Sequence, residues 1–319
     1  MTTMESQVAI RAAGLRKSYG TQVVLDGIDL EVAEGTVFAL LGPNGAGKTT
    51  TVQILSTLIS ADGGEARIAG HDIVREPDGV RAVIGVTGQF SAVDKLFTGQ
   101  ENLQLMADLR HLDKREGRGR VRELLERFEL VEVAGKPVAT YSGGMKRRLD
   151  LAMTLVGDPR IIFLDEPTAG LDPRSRRVMW ETIRELVAGG VTIFLTTQDL
   201  DEADRLAHRI AVLDHGVLVA QGTPDELKRL VSGGHIRLQF ADAAELERAA
   251  RTFDGASRDD EALTIQVPSD GGIGSLRALL DWLDAGSIEV SALSVETPDL
   301  DDVFLSLTGD HDTKKVTVR

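Results

Sequence analysis

Hydrophobic residues in this chain follow two patterns. Unbroken apolar runs at 36–41 (TVFALL), 161–164 (IIFL) and 191–197 (VTIFLTT) read as buried strands, and 83–86 (VIGV) as a shorter one. Residues 7–41 open with strands joined by glycine-containing turns (AAG, LDG, AEG), and 63–74 (GGEARIAGHDIV) predicts a further hairpin. From 90 to 157 the chain turns helical, through NLQLMADLRHL, GRVRELLERFEL and a helix over 146–155. Beyond 161 strand and helix alternate: IIFL, the helix DPRSRRVMWETIRELVAGG, VTIFLTT, then the hairpin IAVLDHGVLVAQG. Thr223, Pro224, Asp225 and Glu226 form a capping box with proline at the first helical position. The helix they start ends near Ser232, Gly233 and Gly234, the expected boundary of a domain over 1–234.

Residues 235–309 predict a second, smaller domain. HIRLQF alternates like a strand, AAELERAARTF is helical, ALTIQVP is a strand, SLRALLDWLDAG a helix and SIEVSALSVE a strand. Thr297 and Pro298 open a last helix, DLDDVFLSLTG. A β-α-β-α-β-α order predicts a compact α+β lobe without a catalytic cluster, suited to stabilising a dimer or binding a partner. The tail, 310–319, is expected to be disordered.

The chemistry begins at FALLGPNGAGKTTTVQIL. Gly42, four residues, then Gly47, Lys48 and Thr49 sit between a strand at 36–41 and a helix predicted over 49–58. Glycines let backbone approach a phosphate chain closely, and the loop's N–H groups with the following helix dipole make an anion cradle. Lys48 adds a point charge for the β- and γ-phosphates, and Thr49 offers a hydroxyl to Mg²⁺.

Three weaker signals follow. In IIFLDEPTAGLD, Asp165 and Glu166 stand at a strand end, where ligands bind in open α/β sheets. One acid there can hold Mg²⁺ through water and the next can polarise an attacking water; taken alone, the pair reads equally well as a solvated strand end. In YSGGMKRR, Ser142, Gly143 and Gly144 precede a helix and suit a phosphate, although an ordinary N-cap serine with two loop glycines has the same sequence. Gln89, in IGVTGQFSAVD, follows the short strand and gains meaning only from its place between the other motifs.

In this order and spacing, GPNGAGKTT, Gln89, YSGGMKRR and IIFLDEPTAGLD resemble the signature set of the ATP-binding subunits of ABC transporters, over residues 8 to 230. A GTPase reading fails, because no N-K-x-D motif is present. The resemblance implies an α/β fold: an ABC-type P-loop ATPase cassette (RecA-like core, antiparallel β subdomain, helical subdomain over about 90–157) plus the small C-terminal α+β domain. It also implies the roles of the site residues. Tyr19 stacks on adenine. Gly42, Asn44, Gly45, Ala46, Gly47, Lys48, Thr49 and Thr50 form the phosphate loop. Thr49, Gln89 and, through water, Asp165 surround Mg²⁺, and Glu166 is the general base. Ser142, Gly143, Gly144 and Met145 cap the γ-phosphate of ATP held by the other subunit of a homodimer. Asp172, in AGLD, links the two sites; because Pro173 follows it, Asp172 also suits an N-cap. The loop FSAVDKLFTGQEN, directly after Gln89, is placed to report phosphate status to a membrane partner.

Three positions depart from the family pattern. Tyr141 and Met145 replace the usual Leu and Gln around Ser-Gly-Gly. Gln198, in FLTTQDLDEADRLAHRI, stands where most members carry a switch histidine. Its amide can donate to a γ-phosphate but cannot titrate near neutral pH. A Gln after the Thr-Thr pair, together with DLDDVFLSLTG near the C-terminus, resembles the daunorubicin/doxorubicin-resistance subgroup.

Composition narrows the function classes. The 319 residues allow two domains with ample core. A net charge of −14 argues against nucleic acid as a partner, and the Arg-Arg pairs at 147–148 and 176–177 read as solvated helix faces. There is no cysteine, and the six histidines are scattered without zinc spacing. MTTMESQVAI lacks the apolar stretch of a signal peptide, and no apolar run approaches the ~20 residues that cross a bilayer. A transport function therefore calls for a separate transmembrane permease, with this ATPase cytoplasmic and peripheral on the inner face of the membrane. The expected activity is ATP hydrolysis, with ATP and Mg²⁺, powering export of a hydrophobic drug or secondary metabolite. Rival readings are a lipid or polysaccharide exporter ATPase, a soluble ABC protein acting on ribosomes or DNA, and a regulatory subunit that hardly hydrolyses.

Overall fold

A computed structural model of the chain describes residues 8–88, 92–230, 234–250, 256–260, 262–269, 272–286, 288–296 and 299–308. The chain divides into two compact units, Met1–Pro224 and Asp225–Arg319. The division falls upstream of the expected glycine-rich boundary, whose Ser232 and Gly233 lie outside the described residues, as do Thr297, Pro298 and the tail at 310–319.

The first unit opens with β1 (Val8–Tyr19) and β2 (Gln22–Ala33), an antiparallel ribbon in which Ile28, Leu30 and Val32 are buried at alternate positions. Next come β3 (Val37–Leu41), α1 (Lys48–Leu55), β4 (Gly63–Ile68), β5 (His71–Asp72), α2 (Pro77–Val83) and β6 (Ile84–Thr87). The predicted helical stretch holds α3 (Gly99–Leu109), α4 (Lys114–Arg127) and α5 (Gly143–Leu155). Strand and helix then alternate: β7 (Ile161–Asp165), α6 (Pro173–Ala188), β8 (Thr192–Thr197), α7 (Leu200–Leu206), β9 (Arg209–Asp214) and β10 (Val217–Gly222).

These strands form two sheets. One is antiparallel, in the order β2-β1-β4-β5; the other has six strands in the order β10-β9-β3-β8-β7-β6. In the second, β9, β3, β8, β7 and β6 run parallel and only β10 is antiparallel. Every residue of β3, β7 and β8 is buried, as the unbroken apolar runs require. Phe38, Phe194 and Phe163 are register partners across these three strands, with ring centroids 5.4 and 5.5 Å apart. This aromatic row holds the strands level. It aligns their carboxyl ends, where open α/β sheets place ligands.

Two helix boundaries differ from expectation. Helix α5 begins at Gly143 rather than 146, because the Ser142 hydroxyl accepts from the Met145 N–H at 3.2 Å and draws both glycines into the first turn. Helix α1 stops at Leu55, where Thr57 turns into the left-handed region (φ 62°) and the N–H of Leu58 bonds back to the Gln53 carbonyl.

In the second unit, α8 (Pro224–Lys228) is followed by β11 (His235–Gln239), α9 (Ala243–Ala250), β12 (Ser257–Asp259), β13 (Thr264–Pro268), α10 (Ile273–Ala285), β14 (Ala292–Glu296) and α11 (Leu300–Thr308). The strands form an antiparallel sheet in the order β12-β13-β11-β14. Its core joins Ile236, Leu238 and Ile265 to Leu246 of α9 and to Leu279 and Leu283 of α10. Strand β12 was not expected: all three of its residues are exposed, so no apolar alternation marks it.

Candidate nucleotide site

The site lies at the carboxyl edge of the six-stranded sheet. Gly42 follows β3, Asp165 ends β7 and Thr197 ends β8. The loop from Gly42 to Gly47 turns tightly against the sheet: a Cβ on Gly42 would lie 2.2 Å from the Leu213 carbonyl oxygen. Gly47 takes φ 111°, and a Cβ there would meet Leu25 at 2.7 Å. Gly47 is the N-cap of α1 and provides no side-chain acceptor, so the helix's first N–H groups are left for another oxygen. Asn44 and Gly45 are exposed at the loop tip, and Thr50 is half-buried. Ala46 is buried, its N–H donating to the Pro43 carbonyl.

Lys48 is only 5% exposed. Its ammonium donates to the carbonyls of Gly42 (2.7 Å) and Pro43 (3.1 Å) and lies 3.7 Å from Glu166 Oε1. Burial pushes its pKa below the usual lysine range, while Glu166 and Asp165 pull the other way. The Thr49 hydroxyl donates to Asp165 Oδ2 at 2.9 Å, and the Thr196 hydroxyl donates to Oδ1. Glu166 sits just past the strand with φ 50°, a left-handed conformation that costs a residue with a side chain about 1–3 kcal/mol. Its N–H donates to the Thr196 carbonyl at 3.0 Å.

The structure thus brings Gly42, Lys48 and Thr49 of one motif together with Asp165 and Glu166 of another. Gln198 is exposed directly after β8, on the same edge. Tyr19 ends β1 in the other sheet, half-exposed, with the Lys17 ammonium 5.5 Å from its ring centroid. Ser142 and Gly143 are exposed at the start of α5, Gly144 and Met145 half-buried. Among the described residues, neither Tyr19 nor these four is hydrogen-bonded to the Lys48 cluster. Gln89 lies outside the described residues; Gly88 directly precedes it.

Asp172 caps α6, accepting from the N–H groups of Arg174 and Ser175 (both 3.0 Å) and from the Ser175 hydroxyl (2.7 Å). These bonds, led by the one from the Ser175 N–H, hold its carboxyl below the usual range. Tyr141, where the family has Leu, is buried against Gly99 at the start of α3, and its hydroxyl donates to the Val133 carbonyl at 2.7 Å. The phenol therefore adds a polar tie between α5 and the segment before it.

The residues that sequence reasoning missed are Thr196 and Arg147. Thr196 is buried directly after the apolar Ile193–Leu195 stretch of β8, and that step to a buried polar residue was its signal. Arg147 corrects an expectation: it is not on a solvated face. Its side chain is 12% exposed and its guanidinium donates to four carbonyls. The signal was periodicity, since Arg147 shares a helix face with the buried Asp150, Leu151 and Thr154. Arg148 also turns inward, donating to the Phe128 carbonyl at 2.9 Å.

The chemistry fits a nucleotide and a hard divalent cation. An uncapped helix N-terminus, a buried ammonium and glycines held against neighbouring backbone suit a phosphate chain. A hydroxyl and a carboxylate oxygen 2.9 Å apart are the donor types Mg²⁺ accepts.

Comparison with known proteins agrees. Residues 25–169 match the ABC transporter family, and residues 222–308 match the C-terminal domain of DrrA1-3-like ATP-binding proteins. The chain is similar to the daunorubicin resistance ATP-binding protein DrrA2 of Streptomyces coeruleorubidus, 49% identical over 98% of this chain and 98% of that protein. Among solved structures it is similar to cbiO1 of Clostridium perfringens, part of the ABC transporter complex cbiONQ (TM-score 0.65, 28% identity, 70% of this chain and 91% of that one). It is also similar to a dimeric ATP-binding cassette in a post-hydrolysis state bound to ADP and phosphate (TM-score 0.62, 26% identity, 67% of this chain and 98% of that one).

Proposed function

Because the chain belongs to the ATP-binding subunits of ABC transporters, of the daunorubicin-resistance type, we propose that its ATPase activity drives export of a hydrophobic drug or secondary metabolite through a separate membrane permease. The observation that carries the reading is the convergence of Lys48, Thr49, Asp165 and Glu166 on one sheet edge. Among the described residues no helix is long and apolar enough to cross a membrane. The subunit then works on the inner face of the membrane, held there by the permease, in the manner of ABC ATP-binding subunits generally.

ATP phosphates take the uncapped N–H groups of α1 and draw Lys48 off the Gly42 and Pro43 carbonyls. Glu166 accepts a proton from water as the water's oxygen bonds the γ-phosphorus in line, and the bond to the ADP oxygen breaks. Lys48 stabilises the charge that develops on the transferring group. When bound, Mg²⁺ supplies Lewis-acid charge stabilisation, with Thr49 and Asp165, and Gln89 on the family's pattern, as the residues that hold it. Tyr19 stacks on the adenine, and Gln198 donates to the γ-phosphate. Two copies face head to tail, with Ser142, Gly143, Gly144 and Met145 of one against the ATP of the other, and Asp172 links the sites. That a similar cassette bound to ADP and phosphate is dimeric supports the pairing of two copies.

The test is ATP-dependent uptake of daunorubicin by inside-out vesicles carrying the chain and its permease. Uptake is expected with wild type and lost with Lys48→Ala. ATP-dependent uptake unchanged by Lys48→Ala contradicts the reading.

A further inference from the structure

Arg147 uses all the hydrogen-bonding capacity of its guanidinium, and nearly all of it on the backbone of the catalytic edge. Its Nε donates to the Pro167 carbonyl at 2.9 Å. One terminal nitrogen donates to the Gly88 carbonyl at 3.0 Å and approaches Asp150 Oδ2 at 3.5 Å. The other donates to the carbonyls of Asp165 (3.0 Å) and Glu166 (3.1 Å). A guanidinium has five N–H groups in a rigid plane, and each has an acceptor here. Burying such a cation is costly unless its donors are satisfied.

The four carbonyls are not a random set. Those of Asp165, Glu166 and Pro167 belong to consecutive residues and bracket Glu166 on both sides. The Glu166 N–H is held separately by the Thr196 carbonyl. A residue with φ 50° keeps that conformation only where its surroundings over-determine it, and Arg147 supplies the bonds on the carbonyl side. The remaining carbonyl belongs to Gly88, directly before Gln89. Arg147 itself rides on α5, whose first turn is Gly143 and Gly144.

We propose that Arg147 is a positioning residue for ATP hydrolysis: its guanidinium ties α5 to the backbone around Glu166 and to the residue before Gln89, and so holds the base in its left-handed conformation. Its donors are taken by protein acceptors, and it acts through Glu166. This inference rests on the reading of Glu166 as the base. A lysine keeps the charge, but its three donors radiate from one atom and cannot span the four carbonyls.

The experiment compares Arg147→Lys, Arg147→Gln and Glu166→Gln in the full-length chain, measuring equilibrium ATP binding, single-turnover hydrolysis and thermal melting. Both Arg147 variants are expected to melt cooperatively and to bind ATP within about twofold of wild type, while hydrolysis falls on the order of 10- to 100-fold, the scale of a small misplacement of a catalytic group. Hydrolysis at the wild-type rate in both variants overturns the inference. So does a loss of ATP affinity in step with the rate, or loss of cooperative melting, since either makes Arg147 a support of the fold at large. Wild-type hydrolysis by Glu166→Gln instead overturns the reading of Glu166, whatever the Arg147 variants do.

Discussion

Lys48 and Gln198 stand at opposite ends of what single residues reveal. Lys48 was legible because its motif is contiguous: the spacing from Gly42 to Thr49 fixes both loop and ammonium, and the structure places that ammonium on the Gly42 and Pro43 carbonyls. Asp165 and Glu166 were legible only through the order and spacing of the motifs together, since the pair alone reads equally well as a solvated strand end. Thr196 and Arg147 reach the same acids from distant parts of the chain, and only the packed sheet and helix bring them there. Gln198 is exposed where most relatives in the family carry histidine. On the proposed reading its amide fixes geometry without changing charge, so Gln198→His should keep or modestly raise the ATPase rate. If it donates to the γ-phosphate as proposed, Gln198→Ala removes that donor and should raise the barrier by roughly 2–3 kcal/mol. Turnover of both variants in the assembled transporter checks this, and an Ala variant as fast as wild type makes Gln198 a spectator.

At the scale of elements, runs were legible where chemistry is local, and so was the Asp172 cap on α6. The structure adds a reciprocal capping box of Thr98 and Glu101 on α3 and caps by Asp113 and Asp199 on α4 and α7, which the sequence reading did not single out. Asp172→Ala leaves the Arg174 and Ser175 N–H groups without their acceptor and should lower stability. Asp172→Asn, also a good cap, should recover most of it; denaturant unfolding of the three proteins reads the difference, and an unchanged Asp172→Ala midpoint removes the capping role. What stayed hidden were elements held by pairing alone. Strand β12 forms because Ser257, Arg258 and Asp259 find partners in Gln266, Ile265 and Thr264, not because of any apolar rhythm of its own. The start of α5 was misplaced because glycines usually end helices, and here a serine cap overrides them.

At the scale of the molecule, two units share one chain, and the Lys48, Thr49, Asp165 and Glu166 cluster lies in the first. The second has a core of its own around Ile236, Leu238 and Leu279. We propose that it serves dimerisation or the permease complex. A chain ending near Gly234 should fold and bind ATP yet dimerise or assemble more weakly, which light scattering with the permease reads; normal assembly and transport by that chain removes the role. The central claim is that ATP hydrolysis runs through Glu166. The most direct measurement is Glu166→Gln, with ATP binding, dimerisation by light scattering and phosphate release followed on one preparation. The account predicts that the variant binds ATP, stops releasing phosphate and accumulates as an ATP-bound dimer. A variant that stays monomeric with ATP while releasing phosphate near the wild-type rate contradicts it.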